Sequence, residues 1–123
     1  MEKKNNYKVL VIDGQGGKIG KQIIEAIKAR FDNVEVTAIG TNSIATATMI
    51  KGGADNGATG ENPVVVCSRT ADIIIGPVGI VIADSLLGEV TPEMALAIGR
   101  SNAVKVLIPV NKCDNIIVGI PDL

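Results

Sequence analysis

The chain has 123 residues, with 12 Lys and Arg against 13 Asp and Glu, and it contains no His or Trp. This length fits one domain, and the core must be aliphatic because Tyr7 and Phe31 are the only aromatic residues. The near-neutral charge and the lack of aromatic stacking residues argue against binding to nucleic acid. Cys67 and Cys113 form neither a CxxC pair nor a zinc-ligand set, so no metal site is predicted.

Composition also allows predictions of where the protein is located and whether it forms an oligomer. Residues 1–7 are polar and lack the apolar stretch of a signal peptide, so they are interpreted as a solvated tail. The longest apolar run, residues 73–83, is too short to span a bilayer. We therefore expect a cytoplasmic protein with no membrane segment. Because 46% of the residues are hydrophobic, we also expect part of the surface to be buried in a homo-oligomer.

In chain order, the hydrophobic pattern predicts alternating strands and helices. Val9–Ile12 is a continuous aliphatic run typical of a strand buried on both faces, and an amphipathic helix with isoleucines at positions 19, 23, 24 and 27 follows it. Further helices are predicted at Ile44–Lys51 and Met94–Ser101, and further strands at Val34–Ile39, Asp72–Ile75, Val104–Val110 and Ile116–Ile120. This order predicts an α/β fold, a single three-layer Rossmann-like domain with a mainly parallel sheet of about five strands.

Three segments are less regular. Residues 54–61 are polar and glycine-rich and are predicted to form a loop. Asn62-Pro63 resembles a helix start, so Val64–Thr70 is predicted as a short helix, although its valines also allow a strand. Residues 78–87 fit a strand or a helix equally well.

The central functional feature is a glycine-rich loop directly after the first strand, with the sequence Gly14-Gln15-Gly16-Gly17-Lys18-Ile19-Gly20. Glycines at such a turn let a phosphate approach the N–H groups at the start of a helix. The spacing fits GxxGxxG and GxGxxxG but not GxGxxG. We predict a phosphate site here, with Lys18 or Lys21 adding positive charge. The alternative is a purely structural turn whose N–H groups donate to Asp13.

A nucleotide is the expected ligand, with NAD(P) as one candidate. The second strand ends without the acidic residue that holds the ribose of NAD, but Thr41 and Asn42 follow it and offer a hydroxyl and an amide. Asp13 would repel a phosphate unless N–H groups or a cation compensate its charge. Gly76-Pro77 ends another strand and is expected to form one wall of the ligand crevice, or else a simple turn.

Two fragments resemble parts of a P-loop nucleoside triphosphatase. Gly20-Lys21 is similar to the Gly-Lys pair of the P-loop, but Gln15 and Gln22 stand where that motif has Gly and a hydroxyl residue. The segment Asn111-Lys112-Cys113-Asp114 matches the NKxD pattern that reads guanine, or it forms a polar turn between strands. A degenerate triphosphate-binding protein is therefore a third hypothesis.

No pattern identifies a reaction, and whether the protein is an enzyme stays open. Asp84, Ser85 and Glu89 occur together, but the chain has neither a GxSxG elbow nor a His base. The most polar group of loop residues consists of Asp55, Thr59, Glu61 and Asn62. These residues are predicted either to contact a substrate or to solvate the loop and cap a helix.

Four segments together carry a resemblance to a known family: residues 11–21, 71–77, 82–89 and 111–115. The chain resembles a family of short bacterial proteins, mainly from Firmicutes, labelled only as a domain of unknown function. The resemblance implies a stand-alone Rossmann-like protein and supplies no catalytic residues. The lead hypothesis is a binder of a nucleotide or related phosphate ligand. The second is a non-enzymatic, homo-oligomeric regulatory or assembly protein whose glycine loop is structural.

Overall fold

A computed structural model describes residues 6–110 and 115–121. Strands and helices alternate along the chain in the order β1 Tyr7–Asp13, α1 Lys18–Arg30, β2 Val34–Gly40, α2 Ser43–Lys51, β3 Asn56–Thr59, α3 Glu61–Ser68, β4 Ile73–Pro77, α4 Pro92–Arg100 and β5 Val104–Ile108. A 3₁₀ turn, Val78–Val81, follows β4 directly.

The five strands form one parallel sheet in the order β3-β2-β1-β4-β5. The chain moves outward from β1 to β3 and then returns to place β4 on the other side of β1. The strand order therefore reverses between β1 and β4, and in parallel α/β sheets the ligand crevice lies at such a switch point. The predicted single Rossmann-like domain with a parallel five-stranded sheet is confirmed.

Helices cover the two faces of the sheet unequally. α1 and α2 pack on one face, over a core built around Val11, Ile24 and Met49. α3 and α4 pack on the other face, where Ile74 and Ile98 belong to the larger core. Aliphatic side chains fill both cores, because runs such as Val9–Ile12 direct alternate residues to opposite faces.

The predicted loop at residues 54–61 is wrong in part, because it contains β3. This edge strand carries no apolar run; its main chain pairs with β2, with Asn56 opposite Thr37 and Thr59 opposite Gly40. Gly57 leaves room for Ile50 of α2, whose Cδ1 would lie 2.5 Å from an added Cβ. Main-chain pairing and a missing side chain are signals that hydrophobic periodicity does not detect.

The remaining differences are at element ends. Residues 116–120, predicted as the fifth strand, are not in a strand, and the five-stranded count is reached through β3 instead. The last strand ends at Ile108, two residues early. α3 begins at Glu61, with Gly60 as N-cap, so Asn62 lies inside its first turn. No helix in the described ranges is long and apolar enough to cross a membrane.

Candidate functional site

A cleft of about 310 Å³ opens at the carboxyl ends of β1 and β4. The glycine loop between β1 and α1 forms one side of this cleft, and the segment after β4 forms the other. The lining residues are Asp13, Gly14, Gln15, Gly16, Gly17, Lys18, Ile19, Pro77, Val78, Gly79, Ser85, Leu86, Val110 and Asn115. Most of the residues predicted from sequence to bind a cofactor therefore meet here.

The loop itself is a tight turn that delivers the chain into α1. The N–H of Gly17 donates to the carbonyl of Gly14 at 3.0 Å, and Gln15 adopts a left-handed φ of 50°. Gly17 is the N-cap of α1, with a φ of 75°, and no side chain caps the helix from that position. The first turn of α1 therefore faces the cleft without the usual hydroxyl or carboxamide cap.

Asp13 closes part of the loop on itself. Its buried carboxylate accepts hydrogen bonds from the N–H groups of Gly14 and Gly20, both at 2.8 Å. Gly20 is the third residue of α1, so the acid at the end of β1 satisfies a donor that the helix leaves free. These two bonds compensate the negative charge that would otherwise oppose a phosphate.

Other N–H groups of the loop face no acceptor. Within the described part of the chain, no hydrogen bond is made by the backbone N–H of Gly16, Lys18 or Ile19. All three residues line the cleft, and the Lys18 side chain is exposed. Such adjacent N–H groups at a helix start form a concave donor set suited to an anion.

Three of the four loop glycines lie where the protein's own packing leaves no room for a Cβ atom. A Cβ on Gly14 would lie 2.6 Å from Cδ1 of Leu86, and one on Gly17 would lie 2.6 Å from the carbonyl oxygen of Ala45. A Cβ on Gly20 would collide with Met49. Gly16 differs, because a Cβ there meets nothing within 4 Å and its φ is not positive. Neither packing nor backbone conformation accounts for glycine at position 16.

Glu89 is a residue of this region that the sequence grouped with Asp84 and Ser85 but to which it assigned no role. Its Oε1 accepts from the Thr41 hydroxyl at 2.6 Å, from the Asn42 amide at 2.8 Å and from the N–H of Gln15 at 3.0 Å. The carboxylate thus ties the glycine loop to the end of β2. No local signal could have predicted these partners, since Glu89 is 74 residues from Gln15.

The ionised form of Glu89 is favoured in the folded protein. Burial by itself raises the pKa of this carboxyl, but the hydrogen bonds from Thr41, Gln15 and Asn42 outweigh it and lower the pKa.

Glu89 follows a strained turn in which three residues other than glycine have left-handed backbone conformations: Asp84, Leu86 and Leu87. Leu86 from this turn packs on Gly14.

The other predicted site residues lie beside the cleft rather than in its lining. Thr41 and Asn42 direct their donors to Glu89, and the Asn42 Oδ1 accepts from Ala45 in the first turn of α2. Lys21 packs against Gly52. Gly76 is buried where a Cβ would meet the carbonyl of Ile12, so it permits the close approach of β4 to β1.

The polar group around residues 55–62 lies outside the cleft lining and has structural contacts. Asp55 accepts from Lys28 Nζ and from the N–H of Val36, each at 2.8 Å. Glu61 accepts from the Thr91 hydroxyl at 2.6 Å. The predicted guanine-reading motif at 111–114 lies outside the described residues, although its neighbours Val110 and Asn115 line the cleft.

The chain belongs to the family described as "Domain of unknown function (DUF3842)", whose model matches residues 8–123. The prediction that the chain belongs to a family labelled only as a domain of unknown function is therefore confirmed. No protein of curated function matches the sequence.

Among solved structures, the chain is similar to a dodecameric FMN-dependent UbiX-like decarboxylase from Escherichia coli O157:H7. The match has a TM-score of 0.52 and 18% sequence identity, and it covers 84% of this chain and 67% of the decarboxylase chain. At this identity the likeness concerns the fold.

Proposed function

We propose that this protein binds a phosphate-bearing ligand of mononucleotide size in the cleft between β1 and β4. The phosphate lies against the glycine loop and accepts hydrogen bonds from the N–H groups of Gly16, Lys18 and Ile19. The observation that carries the proposal is Gly16, where the protein leaves space for a side chain and has none. A phosphate that approaches the backbone closely requires that absence.

Charge in the cleft agrees with an anionic ligand. Lys18 is exposed at the first position of α1 and lines the cleft, so its ammonium group is available to a phosphate. The positive end of the α1 dipole acts in the same direction. Asp13 is the opposing charge, and its two oxygens are already engaged by Gly14 and Gly20.

The dimensions favour one phosphate group and a small body over a dinucleotide. The cleft volume of about 310 Å³ is at the lower end of the roughly 300–1,000 Å³ that ligand sites occupy. In dinucleotide-binding domains the adenosine ribose lies at the end of the second strand. Here Glu89, Thr41 and Asn42 bind one another at that position. NAD(P), a candidate from sequence, is therefore less favoured than a mononucleotide.

FMN enters the list of candidates because the similar decarboxylase is FMN-dependent. FMN carries a single phosphate, which matches the one set of unengaged N–H groups in the loop. No reaction is assigned to the cleft, because the Ser85 hydroxyl donates to the Gly79 carbonyl and the Asp13 carboxylate accepts from the loop. A triphosphate is less favoured because Lys21 packs against Gly52, beside the cleft lining.

A second candidate function is that of a homo-oligomeric regulatory or assembly protein with a structural glycine loop. The hydrogen bonds from Gly14 and Gly20 to Asp13 favour this second function, because the protein's own carboxylate already accepts from two N–H groups that could otherwise bind a phosphate. The two candidates differ in one prediction, which is whether the loop binds any phosphate compound at all.

Thermal unfolding in the presence of ligands separates the two candidates. The panel is inorganic phosphate, ribose 5-phosphate, AMP, GMP, FMN, NAD and GTP, each with and without magnesium. A ligand that binds only the folded protein raises the Tm in proportion to the logarithm of its concentration. We expect a shift with at least one monophosphate and a smaller shift with NAD.

Gly16→Val is the decisive variant and Gly99→Val is its control. Both glycines have open space at the Cβ position and neither has a positive φ, but Gly99 lies in α4, away from the cleft. Gly16→Val should keep the Tm of the free protein and lose the ligand shift, whereas Gly99→Val should keep the shift. No shift with any compound at millimolar concentration, or an equal shift in both variants, would contradict the proposal.

A further inference from the structure

A groove of about 520 Å³ lies between α3 and α4, and we refer to it as the α3–α4 groove. Because α3 ends at Ser68 and α4 at Arg100, one end of the groove lies near the starts of β4 and β5, away from the glycine loop. Its volume is within the roughly 300–1,000 Å³ that small-molecule sites occupy.

A buried hydroxyl in this groove has no partner. Ser68 lines the groove and is 2% exposed, and among the described residues nothing accepts or donates a hydrogen bond at its Oγ. Buried polar atoms are nearly always hydrogen-bonded, so an exception needs an explanation. A hydroxyl in a helix can donate to the carbonyl four residues earlier, as Thr48 does to Ile44 at 3.0 Å. Ser68 makes no such bond, so its hydroxyl is available to a ligand.

Two arginines at the same end of the groove are also unengaged. Arg69 and Arg100 both line it and are exposed. Within residues 6–110 and 115–121, neither guanidinium makes a hydrogen bond or an ion pair. Glu93 is the one acid among the described lining residues, and it precedes Arg100 by seven positions, or about 10 Å along a helix. The charge at the arginine end is therefore positive.

The ends of the two helices do not account for these arginines. Basic side chains near a helix C-terminus can donate to the free carbonyls of its last turn. Here Lys105 Nζ donates to the carbonyls of Gly99 and Ser101, at 3.3 and 2.7 Å. The Ser101 hydroxyl donates to the Ser68 carbonyl at 2.6 Å. Other groups thus serve these acceptors.

We propose that the α3–α4 groove binds a small amphiphilic anion, which is a carboxylate or phosphate group on an aliphatic body. The anionic oxygens accept hydrogen bonds from the guanidinium groups of Arg69 and Arg100 and from the Ser68 hydroxyl. A guanidinium matches the geometry of carboxylate and phosphate alike. The aliphatic body packs on Val65 and Leu96, which form an apolar part of the lining. The proposal does not depend on the ligand site at the glycine loop.

Titration calorimetry of the full chain with hexanoate, hexyl phosphate and uncharged hexanol tests the groove. We expect saturable binding of at least one anion and none of hexanol, and the tighter anion identifies the preferred group. Arg69→Gln and Arg100→Gln should each weaken binding about tenfold, as expected for a lost hydrogen bond between charged groups. Arg30→Gln is the matched control, since Arg30 is the exposed last residue of α1 and lies outside the groove lining.

Ser68→Ala gives a second readout. It should weaken anion binding about fivefold and leave the Tm of the free protein unchanged or higher, because the hydroxyl it removes has no partner. Ser101→Ala should lower that Tm, because its hydroxyl bonds both Ser68 and Ala103. Equal decreases in Tm for the two variants would show that the Ser68 hydroxyl is structural and would contradict its role in the groove.

Three results would overturn the proposal. They are no saturable heat with either anion at millimolar concentration, hexanol binding as tight as that of the anions, and an equal loss of binding in Arg30→Gln and Arg69→Gln. Binding of hexyl phosphate that Gly16→Val abolishes and Arg69→Gln preserves belongs to the glycine loop, and if hexanoate then fails to bind, it overturns the groove as well.

Discussion

The helices α1 and α2 begin in different ways although each follows a parallel strand at the same edge of the sheet. At α2, Asn42 is an N-cap whose Oδ1 accepts the N–H of Ala45 at 2.8 Å. At α1, the N-cap is Gly17, which contributes no side chain, and the N–H groups of Lys18 and Ile19 have no acceptor in the described chain.

The difference separates a helix start whose first-turn donors are capped by a neighbouring side chain from one where two first-turn N–H groups have no acceptor in the described residues. An N-cap side chain satisfies one of the free donors of the first turn and occupies the space in front of it. Asn42 does both for α2. For α1, Asp13 satisfies Gly20 from the preceding strand and leaves the space in front of Gly16 open. The two strand–loop–helix segments, β1–α1 and β2–α2, therefore differ in how much space and how many free donors they leave at the helix start.

The largest expected effect comes from Gly17→Ala, which tests how rigidly the start of α1 is fixed. The substitution forces alanine into a left-handed φ of 75° and places its Cβ 2.6 Å from the Ala45 carbonyl oxygen. We expect a loss of about 3 kcal/mol in the free energy of unfolding. Gly16→Ala should change it by at most about 1 kcal/mol. Equal losses in urea unfolding would show that position 16 is also structural.

A smaller effect is expected for Asn42→Ala, which opens the start of α2. The variant loses the cap to Ala45 and the bonds to Glu89 and to the Gln15 carbonyl, so we expect a loss of about 2 kcal/mol. Thr48→Ala, which removes one exposed hydroxyl on the same helix, should stay within about 0.5 kcal/mol. If calorimetry gave Asn42→Ala and Thr48→Ala the same stability, the Asn42 side chain would not be what stabilises the start of α2.

The smallest effect should be seen in the pH dependence of Glu89→Gln, which probes the tie between the two loops. The folded protein lowers the pKa of Glu89 below its ordinary value of 4.5, so the stability that Glu89 contributes is complete above that pH. It is lost as the pH falls through the lowered value.

Urea unfolding of both proteins from pH 7 to pH 3 measures this contribution. The difference in unfolding free energy between the unmodified protein and Glu89→Gln should shrink towards pH 3. Other acids such as Asp55, whose pKa is also lowered, chiefly by its hydrogen bond with Lys28, titrate in both proteins and cancel. If the difference in unfolding free energy stayed constant or grew at low pH, the ionised Glu89 carboxylate would not be what stabilises the contact between the glycine loop and the end of β2.

The fold was predictable where it rests on local hydrophobic patterns. The run Val9–Ile12 and the isoleucine repeat of α1 predict the first strand and helix, and the position of Pro77 in the cleft follows from the switch-point rule. β3 was not predictable, because its four residues Asn-Gly-Ala-Thr are held by main-chain pairing at the sheet edge. Propensity contains no information on such pairing.

The site was predictable in its backbone and not in its side-chain partners. The glycine spacing predicts the turn into α1, whereas the roles of the individual glycines depend on Leu86, Ala45 and Met49, which are distant in sequence. Asn42 and Glu89 show the same limit. Their hydrogen bond joins residues 47 positions apart, and only the folded chain brings them together.

The placement of the two aromatic residues gives the protein a built-in optical reporter. The chain has no tryptophan and a single tyrosine, so its intrinsic near-ultraviolet emission comes from one site, at Tyr7. Tyr7 lines a surface groove together with Phe31, Ile73 and Ile75. Emission intensity, anisotropy and quenching by acrylamide therefore report on that part of the surface in the unlabelled protein, without attaching a dye.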